Sequence, residues 1–313
     1  MQKPILISAD WGTTSFRAFL LDRLGAIVDR REAAQGIMKV VDGDFSGTFS
    51  KIVGQWLNDY PNLPVLLSGM IGSEQGWSRV PHVPLPARLT DLAETLHIVS
   101  LPESKCAYIV PGLATLDSYG VHDIIRGEET QLAGILDDIP QGRAIICLPG
   151  THSKWVTVVG GVISCFQTSL TGEALAVLSE YSILGCLMVS SASSIDGDAT
   201  EADDAFLQGL ARAKDPVGLL HHLFGVRSQA YCGVIPRSSL RLYLAGILIG
   251  HEIRGMQELY PQLNSITIIA NQKIAASYGC ASKFFGIEPT IIDGEAAAFR
   301  GHLRIARAAG LIE

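Results

Sequence analysis

The sequence lacks the common signatures of nucleotide-binding and hydrolytic folds. It contains no G-x-x-x-x-G-K-[ST], which argues against a P-loop protein. No G-x-G-x-x-G follows the first apolar segment, so a Rossmann dinucleotide site is unsupported. No G-x-S-x-G elbow occurs either. The six cysteines (106, 147, 165, 186, 232 and 280) form no C-x-x-C pair and no zinc-spaced cluster with histidine. Scattered in apolar surroundings, they predict buried thiols in a reducing compartment, the cytoplasm. The opening Met1-Gln2-Lys3-Pro4 has no signal-peptide apolar core, and the most apolar stretch, LYLAGILIG from Leu242, is too short to span a membrane. With 24 Lys+Arg against 31 Asp+Glu, the formal net charge of -7 disfavours a general nucleic-acid or anionic-membrane surface.

What is present is an ordinary globular composition, 48% hydrophobic and 18% charged over 313 residues, enough for one large domain or two medium ones. The first thirty residues read as a meander: strands at Ile5–Ser8, Phe16–Leu21 and Ala26–Glu32, with Asp22–Gly25 as a hairpin turn. FSKIVGQWLNDY from Phe49 reads as a helix with Phe49, Ile52, Val53, Trp56 and Leu57 on one face. PVLLSG from Pro64 reads as a buried strand entering a long Gly/Pro loop that runs to Ala87. Its aromatic content predicts an ordered, functional loop. Asp123–Leu136 reads as a helix entered through a Gly-Glu turn, and the turn-rich DDIPQGRA after it marks a boundary between domains 1–138 and 139–313.

The opening pattern then returns. AIICLPGTHSKWVTVVGGVISCFQTS is strand, turn, strand, Gly-Gly hairpin, strand, with Gly150-Thr151-His152-Ser153 standing where Gly12-Thr13-Thr14-Ser15 stood. The rest is mainly helical: an amphipathic helix from Ala199, a long one over SLRLYLAGILIGHEIRGMQEL and a last one from Gly294. Strands at Ser265–Ala270 and Thr290–Asp293 flank a further helix that ends at Gly286. Alternating strands and helices predict an α/β fold.

The two turns have the chemistry of phosphate cradles. Glycine admits an anion close to backbone N–H groups, and threonine and serine add hydroxyl donors. Asp10, at the end of the first strand, cannot bind phosphate itself but can hold Mg²⁺ that bridges phosphate oxygens. The second turn has the same donors plus His152 and Lys154, and no Asp. The competing reading is two plain hairpins whose Asp and Thr satisfy local backbone groups.

At these residues the chain resembles the sugar kinase/Hsp70/actin ATPases, and more narrowly the 2-dehydro-3-deoxygalactonokinases. The stretches DWGTTSFRA, SGMIGSEQGW, IIRGEETQLAG, LPGTHSKWV and AGILIGHEI carry the resemblance. It implies two ribonuclease H-like domains with mixed sheets flanked by helices. ATP with Mg²⁺ would lie in the cleft between them, and a sugar-acid hydroxyl would be phosphorylated. Asp10 would organise the metal through water. Gly12, Thr13 and Thr14, with Gly150, Thr151 and Ser153, would face the phosphates, and Arg17 or Lys154 would offset developing charge. Gly246 and Gly250 would either approach the adenine or serve helix packing. Asp123, Glu128 and Glu129 are candidate bases, with Glu128 after Gly127 at the matching position; each also suits a helix N-terminus. Ser68, Gly69, Met70, Trp77, Arg79, Arg126 and Glu129 would meet the sugar acid, with Trp77 equally suited to packing. His82, His221 and His222 receive no role. A kinase for a related sugar acid or polyol, or a non-enzymatic nucleotide-binding sensor or chaperone-like ATPase of the same superfamily, fits the phosphate turns alone. Association into a homo-oligomer is left open.

Overall fold

The computed structural model describes residues 3–117, 119–139, 142–188 and 204–313. The chain divides into two compact units: Met1–Arg143, Thr157–Phe166 and Gly294–Glu313 form unit 1, and Ala144–Val156 with Gln167–Asp293 form unit 2.

Unit 1 opens with the expected meander of β1 (Pro4–Trp11), β2 (Phe16–Asp22) and β3 (Ile27–Ala33). The Asp22 carboxylate closes the hairpin by accepting from the backbone N–H groups of Leu24 and Ala26, both at 2.8 Å. Next comes α1 (Phe45–Asp59), which begins four residues before the expected Phe49 because Asp44 caps it through the Gly47 N–H. It is followed by β4 (Val65–Ser68), the two-residue β5 (Val83–Pro84), α2 (Leu89–Glu94), β6 (His97–Ser100), β7 (Cys106–Ile109), β8 (Leu113–Leu116), β9 (His122–Ile125) and α3 (Glu128–Ile135). The sheet order is β3-β2-β1-β4-β7-β6. β1 runs antiparallel to β2 and parallel to β4. Being central, β1 is buried along most of its length, whereas edge strand β3 carries Asp29, Arg30, Arg31 and Glu32.

The helix expected over Asp123–Leu136 is shorter. Residues up to Ile125 pair with β8 as β9, and Gly127, at φ 110°, separates that strand from α3. The Gly/Pro loop is ordered. Trp77 N–H bonds Ile71 O at 2.9 Å, Val80 N–H bonds Gly72 O at 3.0 Å, and β5 pairs with β8.

The remaining elements before the last helix are β10 (Arg143–Leu148), β11 (Ser153–Val159), β12 (Val162–Ser169), α4 (Thr171–Glu180), α5 (Asp204–Ala213), α6 (Leu219–Tyr231), α7 (Leu240–Leu259), β13 (Ser265–Ala270), α8 (Gln272–Phe284) and β14 (Glu288–Asp293), which belong to unit 2 except for Arg143 and residues 157–166. Of the helix expected from Ala199, residues 199–203 lie outside the described residues. The sheet order β12-β11-β10-β13-β14 repeats the β3-β2-β1-β4-β7 order of unit 1, with the fourth strand parallel to its neighbours in both. A meander followed by two parallel strands, twice over, is the ribonuclease H-like arrangement that the resemblance implies.

The last helix, α9 (Gly294–Ala308), belongs with unit 1, whereas the sequence reading leaves it in the second half. Its reason is packing. A Cβ on Gly301 would lie 1.8 Å from Thr130 O, and one on Gly134 would lie 2.0 Å from Ala297 O, so α3 and α9 cross backbone to backbone. In unit 2, Gly209 and Gly246 do the same for α5 and α7. The cysteines correct another expectation. None of the six forms a disulfide, but only Cys147 is buried, and Cys106, Cys186 and Cys232 are exposed. Among the described residues no helix is long and apolar enough to cross a membrane.

These close crossings predict opposite outcomes for two glycines. Gly301→Ala must push α3 away and should cost about 1–3 kcal/mol. Gly54→Ala, in α1 with nothing within 4 Å of the new Cβ, should add about 0.5–1 kcal/mol through helix propensity. Urea unfolding midpoints of the two variants check both signs.

Candidate active site

In unit 1 a cavity of about 190 Å³ is lined by Asp10, Gly12, Ser68, Gly69, Met70, Arg126, Gly127, Glu128, Gln131 and Ala298. The parallel pairing of β1 with β4 sets Asp10 opposite Ser68 at the ends of the two strands. Gly69 follows at φ 89°, ψ −155°, a conformation nearly restricted to glycine. A Cβ there would meet Asp10 Oδ1 and Trp11 O, each at 2.9 Å, so the carboxylate rests directly on the Gly69 backbone. Gly127 lies against the same surface, 3.4 Å from Gly69 Cα as measured from its own ideal Cβ position.

Asp10 keeps a third of its side chain in contact with solvent. Burial raises its pKa above the ordinary carboxylate value. Arg17, 3.7 Å away across the β1–β2 pair, opposes that rise, and Glu295 adds to it. Arg17 is also 3.6 Å from Glu295, which bonds Arg30 at 2.9 Å, so it belongs to a charge network at the cavity side of unit 1. In the first turn the Gly12 N–H is committed to Ser15 O at 2.9 Å, so that group does not point outward as expected. Thr13 and Thr14 are exposed. Gly36 supports their peptide closely: a Cβ there would sit 2.3 Å from Thr13 O and Thr14 N.

The three candidate bases separate. Glu128 lines the cavity, and its Oε2 accepts from Arg126 N–H at 3.0 Å. Glu129 is fully buried. It accepts from Gly127 N–H at 2.6 Å and from the Thr130 hydroxyl at 3.1 Å, and burial followed by repulsion from Glu128 pushes its pKa up to about 8. Both carboxylates thus also serve the backbone at the start of α3. Asp123 sits on β9 and is not among the cavity-lining residues.

Arg126 is held from behind. Its Nη2 donates to Val80 O at 2.7 Å and meets His82 Nε2 at 3.2 Å, and the guanidinium packs on Gly72, where a Cβ would lie 2.7 Å from Nη1. Burial lowers the His82 pKa, with Arg126 and Arg79 adding to the effect, which favours the neutral ring that can accept this bond. Arg126 Nη1 is buried and has no partner among the described residues. Of the other sugar-acid candidates, Ser68, Gly69 and Met70 line the cavity. Trp77 instead stacks on Phe45, with centroids 6.5 Å apart and planes at 15°, as part of the unit 1 core. Arg79 is exposed, 3.9 Å from Glu74.

In unit 2 the second turn leans on the start of α4. Glu173 N–H bonds Thr151 O at 2.9 Å, and His152 Nε2 lies 2.5 Å from Glu173 Oε2. Thr151 is exposed, and a Cβ on Gly150 would meet nothing within 4 Å. Neither φ nor packing requires glycine there, which leaves room for an approaching group. Ser153 points inward, its hydroxyl 2.8 Å from Tyr278 Oη, and the Lys154 ammonium bonds Thr168 Oγ1 at 3.1 Å. Gly246 and Gly250 face α5: Cβ atoms there would lie 2.2 Å from Phe206 O and 2.6 Å from Ala213 Cβ. Helix packing accounts for both glycines.

With this geometry in hand, comparison with known proteins is decisive. The family model for 2-keto-3-deoxy-galactonokinase matches residues 10–305. The chain belongs to that family. It is 30% identical over 302 residues to the 2-dehydro-3-deoxygalactonokinase of Escherichia coli (strain K12), covering 96% of this chain and 97% of that protein. A crystal structure from Sinorhizobium meliloti, named for the same kinase, has a TM-score of 0.89 at 28% identity, covering 97% of this chain and 98% of that one. Component A of the (R)-2-hydroxyglutaryl-CoA dehydratase from Acidaminococcus fermentans has a TM-score of 0.51 at 12% identity, covering 98% of this chain and all of that one, and shares the fold alone. The chain is a kinase of a sugar-acid family, and ATP is its phosphoryl donor.

Sequence reasoning missed Gly36, Gln131 and Ala298. Gln131 lies inside the quoted RGEETQ stretch, but its contact, Gly294 O at 3.0 Å, comes from 163 residues away. Gly36 and Ala298 carry no local signal.

The buried Glu129 makes a pH prediction. A carboxyl whose folded pKa is raised from the ordinary 4.5 to about 8 binds a proton in the folded state that the unfolded chain has lost. Its contribution is intact below pH 4.5 and is lost progressively as the pH climbs to about 8. Glu129→Gln should therefore unfold at higher urea than the wild type at pH 8.5, with the two converging near pH 4.5. Parallel curves at all pH values would refute the assignment.

Proposed function

We propose that the protein transfers the γ-phosphoryl group of ATP to the 6-hydroxyl of 2-dehydro-3-deoxy-D-galactonate, a step of galactonate breakdown in the cytoplasm. The observation that carries this reading is the joint placement of Asp10, Glu128 and the half-satisfied Arg126 guanidinium around one cavity. Phosphoryl transfer needs a metal carboxylate, an acceptor-side base and, for an anionic acceptor, a fixed cation. Six cysteines without a disulfide suit a reducing compartment.

The acceptor oxygen attacks the γ-phosphorus, the bond to the β–γ bridging oxygen breaks, and ADP leaves. Glu128 takes the hydroxyl proton, and Arg126 Nη1 pairs with the substrate carboxylate. Asp10 suits Mg²⁺: it is partly open to solvent and seated on a glycine surface that a side chain would fill. Mg²⁺ supplies charge neutralisation at the β- and γ-phosphates. The hydroxyls of Thr13 and Thr14 and the open face at Gly150–Thr151 receive phosphate, and Arg17 offsets charge near Asp10.

A coupled ADP-release assay over keto-deoxy sugar acids and neutral sugars tests the reading. Turnover should require a sugar acid. Glu128→Gln should lower kcat by about 10²–10⁴-fold with little change in KM. Asp10→Asn should remove most turnover, and Arg126→Ala should raise KM for the acid. Preference for neutral acceptors, or ATP hydrolysis indifferent to sugar acids, would overturn it.

A further inference from the structure

Beneath the second turn lies a buried carboxylate. Glu252, on α7, is 7% exposed and sits in the apolar core of unit 2, among residues such as Cys147, Ile249 and Ile253. Its Oε1 accepts from Trp155 Nε1 at 2.6 Å, and its Oε2 accepts from Tyr278 Oη at 2.8 Å. The hydroxyls of Ser153 and Thr171 also bond to it, and Ser153 Oγ lies 2.8 Å from Tyr278 Oη. Four uncharged donors on three elements therefore converge on one carboxylate: Ser153 and Trp155 of β11, Thr171 of α4 and Tyr278 of α8.

Burying a carboxylate costs free energy that uncharged donors only partly return, so such a group is a poor device for stability. A fully bonded network does fix the relative positions of the elements that supply its donors. Two of those elements are the two flanks of the Gly150–Ser153 turn. Ser153 is its last residue, and Thr171 opens the helix on which the turn rests. A Cβ on Gly172 would lie 2.2 Å from Gly150 O, so any shift of α4 moves the turn directly.

We infer that Glu252 is a positioning residue for ATP, setting the shape of the second phosphate turn through Ser153 and Thr171. The inference rests on the proposed function, in which that turn receives phosphate. Gln is nearly isosteric with Glu but replaces one acceptor oxygen with a donor, so it cannot accept from all four groups.

Steady-state kinetics on the full chain, with thermal unfolding of each variant, test it. Glu252→Gln should raise KM for ATP about tenfold, with kcat and KM for the sugar acid within about twofold. A purely structural role would lower the unfolding temperature and the active fraction but leave KM for ATP unchanged, and that result overturns the inference. Should Glu252→Gln fail to fold, Tyr278→Phe severs the link to Ser153 while keeping the carboxylate, and it must shift KM for ATP in the same direction. Gly150→Ala places a methyl in open space on the turn itself and separates the two ideas. If it leaves KM for ATP unchanged, the phosphate reading of the turn falls and this inference with it. If it raises KM and the Glu252 and Tyr278 variants do not, only this inference falls.

Discussion

The parallel pairing of β1 with β4 is the constraint on which unit 1's cavity depends. It aligns Asp10 with Ser68, so both strands end at one level and the chain must turn at once. Gly69 makes that turn in a conformation that side chains avoid, and its bare backbone becomes the surface on which the Asp10 carboxylate rests. The start of α3 reaches the same surface through Gly127. A glycine floor thus lets the Asp10 and Glu128 carboxylates and the Arg126 guanidinium share a cavity of about 190 Å³. Because Asp10 is fixed by main chain on one side and by Arg17 on the other, its position owes little to side-chain freedom.

The two sheets repeat one strand order but have been put to different uses. In unit 1 the first turn follows a strand ending in an acid, and the turn's own glycine N–H closes the hairpin. In unit 2 the matching strand ends in Leu148-Pro149, and the turn leans on the first turn of α4.

Each unit also hides a carboxylate in its interior, Glu129 in unit 1 and Glu252 in unit 2. Burial raises the pKa of both, to near 8 for Glu129, which spends its oxygens on the start of α3. Glu252 in addition gathers hydroxyl and indole donors. Both cap or join backbone segments that border the cavity or the second turn.

Local pattern was enough for the meanders, the hairpins, the long helices and the paired glycine-hydroxyl turns. Those features arise from alternation, helical period and turn chemistry within about twenty residues. The family resemblance, carried by motifs, singled out Asp10 and Glu128, and both line one cavity. Contacts between distant segments set the rest. Asp123 went to a strand because β8 was there to pair with it, and Trp77 went to the core because Phe45 and Phe49 were there to stack with it. Gly246 and Gly250 were claimed by α5, and α9 returned to unit 1 because Gly134 and Gly301 let two backbones touch. A sequence lists which groups can donate, accept or pack. Which of them remain available to a ligand is decided only when every competing neighbour, hundreds of residues away, has taken its share.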